Sequence, residues 1–323
     1  MNEKGKRMAV LVGCNYPNTK NELHGCHNDV LAMKEVLISR FMFDPNNIEL
    51  LIDKQGGSDL VMPNGANIMK ALHKMVDQAK NGDVLYFHYS GHGTLLNKPF
   101  LPFLKEEAIV PIDFNLITNV DLRNLVNKVP KGATFTILSD SCHSGGLIDK
   151  EKEQIGPSTL KPTNENEDSS DNSLSSTTTK KPKSIPFESI LEHLSSLTNI
   201  NTSDIGTHLL EIFGQEASLL FRLPKIEIDL LKPLKADEGI LLSGCQTDET
   251  SADVGNGGKA FGAFSNAIQQ VLKQKSEPTS NREMVAMARE ILAAQRFEQH
   301  PCLYCSDENA NENFLRQSAC SNI

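Results

Sequence analysis

Two segments of the chain end an apolar run with a residue that can take part in nucleophilic catalysis. One run, residues 134–139, leads into a small polar loop that carries Cys142. The other run, residues 83–90, leads into Gly-His92-Gly. A cysteine becomes an effective nucleophile when a histidine within reach manages its proton. We therefore predict that Cys142 and His92 form a catalytic dyad.

Other nucleophile–base pairs fit the sequence less well. His143 adjoins Cys142, but neighbouring side chains in an extended chain point to opposite faces. His88 lies inside the strand-like run, where a core histidine is expected. Ser141 and Ser144 are not part of a Gly-x-Ser-x-Gly motif, so a serine nucleophile is not indicated.

The apolar pattern alternates between strand-like and helix-like segments. This alternation predicts an α/β fold with a mostly parallel central sheet and helices on both faces. Functional groups in such sheets gather at the carboxyl ends of the strands, so His92 and Cys142 can meet if their strands are neighbours. The predicted strands are 7–13, 48–52, 83–90, 134–139 and 239–243; the predicted helices are 28–41 (capped by Asn28), 67–79, 120–129, a short one around 190–197, 207–221, 260–273 and 282–294.

Composition excludes several classes of protein. The chain has 323 residues, 39% of them hydrophobic, and a formal net charge of −9, which argues against nucleic-acid binding. We expect no membrane span and no secretory leader, because no apolar run is long enough. Seven cysteines without a leader indicate reduced thiols and a cytoplasmic protein. Cys302 and Cys305 form a lone Cys-x-x-Cys pair, which is too few ligands to predict a zinc site.

Five motifs resemble those of the metacaspases, in the caspase-like clan of cysteine peptidases. The two that carry the dyad, ending in Ser-Gly-His92-Gly and Asp-Ser-Cys142-His-Ser-Gly-Gly, resemble the family's histidine and cysteine motifs. The dyad spacing of 50 residues (142 − 92) is also close to that of caspases. The absence of a Pro-rich or zinc-finger segment before the first strand is similar to the type II, plant-like group. The remaining motifs are Leu23–Val30, Glu107–Asn115 and Gly244–Asp253.

The resemblance implies the caspase-hemoglobinase fold and assigns roles to the dyad. Cys142 would attack the scissile carbonyl, and His92 would protonate the leaving amine. The backbone N–H groups of Gly93 and Cys142 would form the oxyanion hole. No orienting carboxylate for His92 is apparent in the sequence.

The resemblance also implies cleavage after Arg or Lys. The carboxylates of the specificity pocket (S1) would map to Asp29 and Asp140, since a desolvated cation needs paired negative charge. Asp29 could instead only stabilise the first turn of a helix, and Asp140 could be a turn residue. Cys26 is either an auxiliary thiol, as discussed for some relatives, or a small loop residue near the cleft.

Composition divides the chain into four parts that together form one composite caspase-like domain. Residues 1–156 are similar to the family's large catalytic subunit and 236–323 to its small subunit. Residues 157–183 have almost no large apolar side chain, which predicts a disordered linker. Residues 184–235 regain apolar periodicity and are predicted to be a helical activation segment.

The carboxyl end of the predicted linker contains the basic cluster Lys-Lys-Pro-Lys183. Pro182 disfavours cleavage of the bond before it, so we predict self-cleavage between Lys183 and Ser184. This position matches the linker cleavage of the family, and implies that the protein is made as a zymogen.

Calcium commonly activates members of the family, through acidic residues near the Glu-Ala-Ile-Val-Pro segment. Glu106, Glu107 and Asp113 are the weak calcium candidates here. Calcium prefers six to eight oxygen ligands, and the preceding residues 94–105 contain two lysines and no carboxylate. We therefore expect calcium dependence to be weak or absent, with no cofactor required.

Other functions remain open on the sequence alone. One is a caspase-fold peptidase with Asn or Asp specificity, and another is a catalytically silent scaffold. A flavodoxin-like nucleotide-binding protein is a third, although no glycine-rich turn follows the first strand. For the peptidase we expect a monomer that acts on proteins and peptides with a basic residue before the cut, and that a protein inhibitor could control. Clan relatives act in regulated cell death and stress responses.

Overall fold

The computed structural model describes residues 5–54, 61–97, 105–148, 152–158, 179–230, 239–256 and 258–317. The strands in these ranges are β1 Arg7–Gly13, β2 Ile48–Ile52, β3 Val84–Ser90, β4 Gly93–Asn97, β5 Lys105–Ile109, β6 Ile117–Thr118, β7 Thr134–Asp140, β8 Glu153–Ile155, β9 Thr179–Pro182, β10 Gly239–Ser243, β11 Ala252–Asn256, β12 Lys259–Gly262 and β13 Cys302–Tyr304. The helices are α1 Cys26–Ser39, α2 Gly65–Asp77, α3 Asn119–Val126, α4 Phe187–Thr198, α5 Ile205–Phe213, α6 Leu219–Arg222, α7 Lys225–Leu230, α8 Ala263–Gln274, α9 Asn281–Ala294 and α10 Asp307–Asn311.

A seven-stranded sheet organises the molecule in the order β2-β1-β3-β7-β10-β13-β8. The first five strands are parallel, and β13 and β8 add an antiparallel edge. The central strands β3 and β7 are buried along their whole length, because helices cover both faces. The mostly parallel α/β sheet predicted from the sequence is confirmed.

The two faces of the sheet carry separate hydrophobic cores. On one face, α1, α8 and α9 contribute fully buried side chains such as Met33, Phe264 and Leu292. On the other face, α2 and α3 contribute Leu72 and Leu122. A third cluster lies beneath the β4–β5 hairpin, and α4 and α5 pack on it. Residues 185–221 are therefore anchored to the hairpin that follows His92.

Two smaller sheets lie beside the carboxyl ends of the central strands. β4, β5 and β6 form an antiparallel sheet, and β12, β11 and β9 form a second one. In the second, β9 pairs antiparallel with β11, from Ala252 opposite Pro182 to Gly255 opposite Thr179. The prediction of a disordered linker is therefore wrong for residues 179–183, because main-chain pairing with β11 orders them. Residues 159–178 of that linker lie outside the described residues.

Several predicted helix boundaries are also wrong. The first helix begins at Cys26 after Gly25, and the Asn28 side chain donates to the Ala260 carbonyl instead of capping the helix. The helix predicted over 207–221 is divided at Gly214, whose φ of 52° cannot continue an α-helix. The helix predicted from residue 260 begins at Ala263, because the preceding residues form β12.

Candidate active site

The candidate site lies where β3 and β7 end side by side. The two strands pair in parallel register, so that Ser90 lies opposite Asp140. His92 and Cys142 each follow two residues later, and this register brings the two loops together. A Cβ on Gly93 would come within 2.0 Å of the Cys142 carbonyl oxygen, so only glycine permits this approach.

The segment that contains Lys183 crosses the ends of both strands. The Lys183 N–H donates to the Ser251 carbonyl at 2.9 Å, and the Ile185 N–H donates to the Gly93 carbonyl at 3.1 Å. Pairing on both sides holds the bond between Lys183 and Ser184 over the loops of His92 and Cys142. The chain therefore lies across this site in an extended form, as a bound peptide would.

The Lys183 carbonyl oxygen is held by the two predicted oxyanion-hole donors. It accepts from the Gly93 N–H at 3.0 Å and from the Cys142 N–H at 3.1 Å. Two backbone donors aimed at one carbonyl oxygen polarise that carbonyl and stabilise negative charge on its oxygen. Gly93 and Cys142 were expected to act together, and the structure places their N–H groups on the same atom.

The Lys183 side chain fills a fully enclosed pocket. Its Nζ lies 3.2 Å from Asp140 Oδ1 and 3.5 Å from Asp29 Oδ2, and it also donates to Ser90 Oγ and the Asp140 carbonyl. None of the lysine side chain is exposed. Although burial alone would lower the pKa of Lys183, the facing Asp140 carboxylate and its neighbours raise it and keep the ammonium charged. The two predicted pocket carboxylates therefore surround one cation.

The two carboxylates differ in their environment. Burial would raise the pKa of Asp140, but Lys183 and hydrogen bonds from Ser251 and Ser265 outweigh burial and lower it. Burial raises the pKa of Asp29 to about 7, and Lys183 offsets this only in part. Asp140 is thus the firmly ionised partner of the lysine.

Close approach by Gly262 completes the pocket wall. The Gly262 N–H donates to Asp29 at 2.9 Å, and a Cβ at this position would lie 2.2 Å from Lys183 Nζ. A side chain here would occupy the space of the ammonium group. Gly262 was not predicted as a site residue, because a glycine near the start of the predicted helix 260–273 gives no functional signal in the sequence.

His92 is oriented by main-chain and aromatic contacts. Its Nε2 lies 2.7 Å from the Asn21 carbonyl oxygen, which can only accept, so we assign the proton to Nε2. Nδ1 is then the basic nitrogen, and it has no hydrogen-bond partner among the described residues. The Tyr16 ring packs against the His92 ring at a centroid distance of 4.8 Å and a tilt of 42°, and its hydroxyl accepts the backbone N–H of His92. The Asn21 carbonyl therefore orients the His92 ring, a role for which no carboxylate was apparent in the sequence.

Both members of the predicted dyad are buried. The polar, glycine-rich sequence around Cys142 is typical of an exposed turn, but none of Cys142 is exposed beneath the Lys183 segment. Burial raises the pKa of the Cys142 thiol to about 12, although the Ser251 N–H donates to its sulfur at 3.1 Å. Burial lowers the pKa of His92 to about 4. Thiol and imidazole are therefore both neutral in this conformation.

Cys26 lies at the first residue of α1 and is fully buried. Its N–H donates to the Asn15 side chain, and burial raises the pKa of its thiol well above the usual value. A neutral, covered thiol is unreactive in this conformation. Its role as an auxiliary thiol remains a prediction.

The three calcium candidates accept hydrogen bonds from different parts of the chain. Glu106 accepts from the Asn119 side chain, Glu107 from the Gly146 N–H, and Asp113 from the Gly65 N–H. No group of three or more metal-ligating side chains is found within the described residues, and this includes the surroundings of Cys302 and Cys305.

Comparisons with known proteins define the class first. A family model described as the caspase domain matches residues 6–311. The fold resembles caspase-1 of Spodoptera frugiperda, with a TM-score of 0.53 over 100% of this chain and 94% of that one, at 11% identity. It also resembles protein GSU0716 of Geobacter sulfurreducens, with a TM-score of 0.62 over 97% of this chain and 99% of that one, at 17% identity. The fold is thus that of the caspases.

Sequence relatives narrow the class. The chain is 59% identical to Metacaspase-9 of Arabidopsis thaliana, over 97% of each chain. It is 38% identical to Metacaspase-6 of the same plant, over 96% of this chain and 99% of that one. The chain belongs to the plant type II metacaspases, which are caspase-like cysteine peptidases. No helix in the described ranges is long and apolar enough to span a membrane.

Proposed function

We propose that this protein is a cysteine endopeptidase that cleaves after Lys or Arg and is made as a zymogen that cleaves itself between Lys183 and Ser184. One observation carries the proposal. Lys183 has its carbonyl on two backbone donors beside Cys142 and its ammonium between two buried carboxylates. This is the arrangement that a peptidase offers to the residue before the cut.

The chemistry follows from the neutral dyad. The Cys142 sulfur bonds to the Lys183 carbonyl carbon while its proton moves to Nδ1 of His92. Gly93 and Cys142 N–H groups stabilise the oxyanion that forms. His92 then protonates the amine of Ser184, the C–N bond breaks, and a thioester remains. Water hydrolyses the thioester, which returns the thiol and frees the carboxylate of Lys183.

Specificity for basic residues rests on charge. Asp140 and Asp29 are both fully buried, and two buried carboxylates without a cation are costly. A substrate lysine or arginine restores the pairing that Lys183 supplies before cleavage. An Asn or Asp residue would leave the carboxylates unpaired, so the structure favours basic specificity over that alternative.

Calcium is not needed for this mechanism. Glu106, Glu107 and Asp113 form no group of three metal-ligating side chains within the described residues, whereas calcium prefers six to eight oxygen ligands. We expect at least half of the activity to remain in excess chelator. Strict loss of activity in chelator, restored by micromolar calcium, would overturn this part of the proposal.

A peptide-library profile tests the proposed activity. Purified protein should cleave after Lys and Arg, and Cys142→Ala should abolish cleavage. His92→Ala should leave less than about a hundredth of the activity, since general acid–base catalysis contributes roughly 10²–10⁴-fold. His73→Ala on α2 is the matched control and should retain activity. Robust turnover by Cys142→Ala, or cleavage only after Asn or Asp, would sink the proposal.

A further inference from the structure

His143 bridges two loops on the side of the cleft where the leaving part of the chain lies. Its Nδ1 is 2.6 Å from the Thr247 carbonyl oxygen, and its Nε2 is 3.3 Å from Ser184 Oγ. The residue has a φ of 53°, which is uncommon for a residue other than glycine. Such backbone conformations persist where the surrounding structure holds them, often at functional sites.

The contact with Thr247 determines what Nε2 can do. A carbonyl oxygen only accepts, so a 2.6 Å contact requires the proton of neutral His143 to lie on Nδ1. Nε2 then carries a lone pair and can only accept. A hydroxyl group is a suitable donor to it, and Ser184 Oγ occupies that position.

This acceptor has a different role from that of His92. His92 has its proton assigned to Nε2 by Asn21, which leaves Nδ1 as the base. The ring contacts of His143 described above run instead to the first residue after the cut and to the loop after β10. His143 is thus placed to recognise the leaving part of a substrate.

We propose that His143 is a specificity-determining residue that selects a hydroxyl side chain, serine or threonine, immediately after the cut. The inference rests on the proposed cleavage between Lys183 and Ser184, which makes Ser184 that residue. A neutral hydrogen bond at a half-buried site corresponds to roughly a three- to tenfold preference. Alanine and valine at the same position lack the donor and lose this preference.

A double-mutant cycle on self-cleavage tests the proposal. The first-order rate of self-cleavage is measured in the full chain, in Ser184→Ala, in His143→Asn and in the double variant. Asparagine tolerates positive φ, and its side-chain N–H can donate to Thr247, but it is too short to reach Ser184. Ser184→Ala should slow cleavage about three- to tenfold in the natural chain and less than twofold with His143→Asn. His73→Asn is the control. In that background, Ser184→Ala should slow self-cleavage as much as it does in the natural chain.

Two outcomes would count against different proposals. If the factors by which the two single substitutions slow cleavage simply multiply in the double variant, the role of His143 is overturned. The proposed cleavage after Lys183 would still stand. Absence of cleavage at Lys183 in all four chains would instead remove the proposed function itself.

Peptide substrates provide a test that does not depend on folding of the variants. The self-processed natural enzyme is given pairs of peptides that differ only after the cut, Ser against Ala and Thr against Val. We expect kcat/KM to favour the hydroxyl member of each pair about three- to tenfold. Equal values for both pairs, with cleavage still after Lys, would overturn the proposal.

Discussion

Lys183 illustrates how one residue can block and define a site at once. Its ammonium group is fully buried between Asp29 and Asp140, and its carbonyl contacts the backbone N–H groups beside the thiol. Each group that would bind a substrate is therefore already occupied by the chain itself. A foreign peptide can enter only after Lys183 leaves.

Removing one pocket charge should weaken the recognition of basic substrates. We expect Asp140→Asn to lower kcat/KM for peptides with Lys or Arg before the cut by at least about tenfold, because a charged hydrogen bond is lost. Asp29→Asn should have a smaller effect, since burial raises the pKa of Asp29 to about 7 and it is less firmly ionised. Asp307→Asn, at an exposed pair with Lys152, is the control. Wild-type kinetics in Asp140→Asn would assign that carboxylate to the scaffold.

The thiol should be unreactive before cleavage. With the pKa of Cys142 raised to about 12 by burial, only about one thiol in ten thousand is ionised at pH 8. The thiolate is the deprotonated form, so alkylation of the uncleaved chain should rise about tenfold per pH unit between pH 6 and 9. The cleaved chain of the same preparation should react faster at every pH in this range. Equal rates, followed at Cys142 by mass spectrometry, would show that the segment does not cover the sulfur.

At the scale of elements, the loop after β1 positions the histidine. Asp53, directly after β2, accepts the N–H groups of Asn15 and Tyr16. Tyr16 in turn packs against the His92 ring and accepts the backbone N–H of His92. The loop therefore sets the orientation of the His92 ring, although Asp53 itself makes no contact with that ring in the described hydrogen bonds.

Loss of the Asp53 carboxylate should change kcat more than KM. We expect Asp53→Ala to lower kcat about ten- to a hundredfold, because small displacements of catalytic groups are costly, with KM changed less than threefold. Asp44→Ala, an exposed carboxylate that only caps a short 3₁₀ turn, is the control. A change in KM alone, with kcat retained, would show that Asp53 does not act through His92.

The five parallel strands of the main sheet were predictable from the sequence because burial on both faces leaves continuous apolar runs, whereas the short antiparallel strands β8 and β13 were not predicted. β1, β2 and β10 match the predicted ranges at both ends. β9 could not be predicted, since Thr-Lys-Lys-Pro is exposed and is held by main-chain pairing with β11 and by lysine contacts to residues distant in the sequence. The burial of Lys183 could not be predicted either, because it depends on partners that are distant in the sequence.

The site shows the same division between local and distant signals. Cys142, His92, Asp29 and Asp140 lie in motifs that are recognisable in the amino-acid sequence alone. Ser251 and Asn21 support them through direct hydrogen bonds, and Asp53 supports them indirectly by accepting N–H groups of the loop after β1. Of these, Ser251 lies in the motif Gly244–Asp253 and could have been found.

At the scale of the whole molecule, the two sides of the proposed cleavage site share one sheet. β7 precedes Lys183, β10 follows it, and the two strands pair in parallel over five residues in the middle of the sheet. Ile185 and α4 pack under the β4–β5 hairpin as well. The proposed cleavage would therefore cut a connection without removing a layer of the fold.

The two fragments should remain associated after cleavage. We expect them to elute together in size-exclusion chromatography at the volume of the intact chain, and to separate only in denaturant. Thermal unfolding should show a single cooperative transition, because one sheet connects both fragments. Separation of the fragments in native buffer would contradict a single composite domain.

The central claim is that the chain cuts itself after Lys183 with its own Cys142. Amino-terminal sequencing of the fragments formed by the purified natural protein, beside Cys142→Ala protein made alone, tests it most directly. We predict a new amino terminus at Ser184 in the natural protein and an uncut chain in the variant. Fragments equally abundant in Cys142→Ala, or a principal cut at another bond, would contradict the claim.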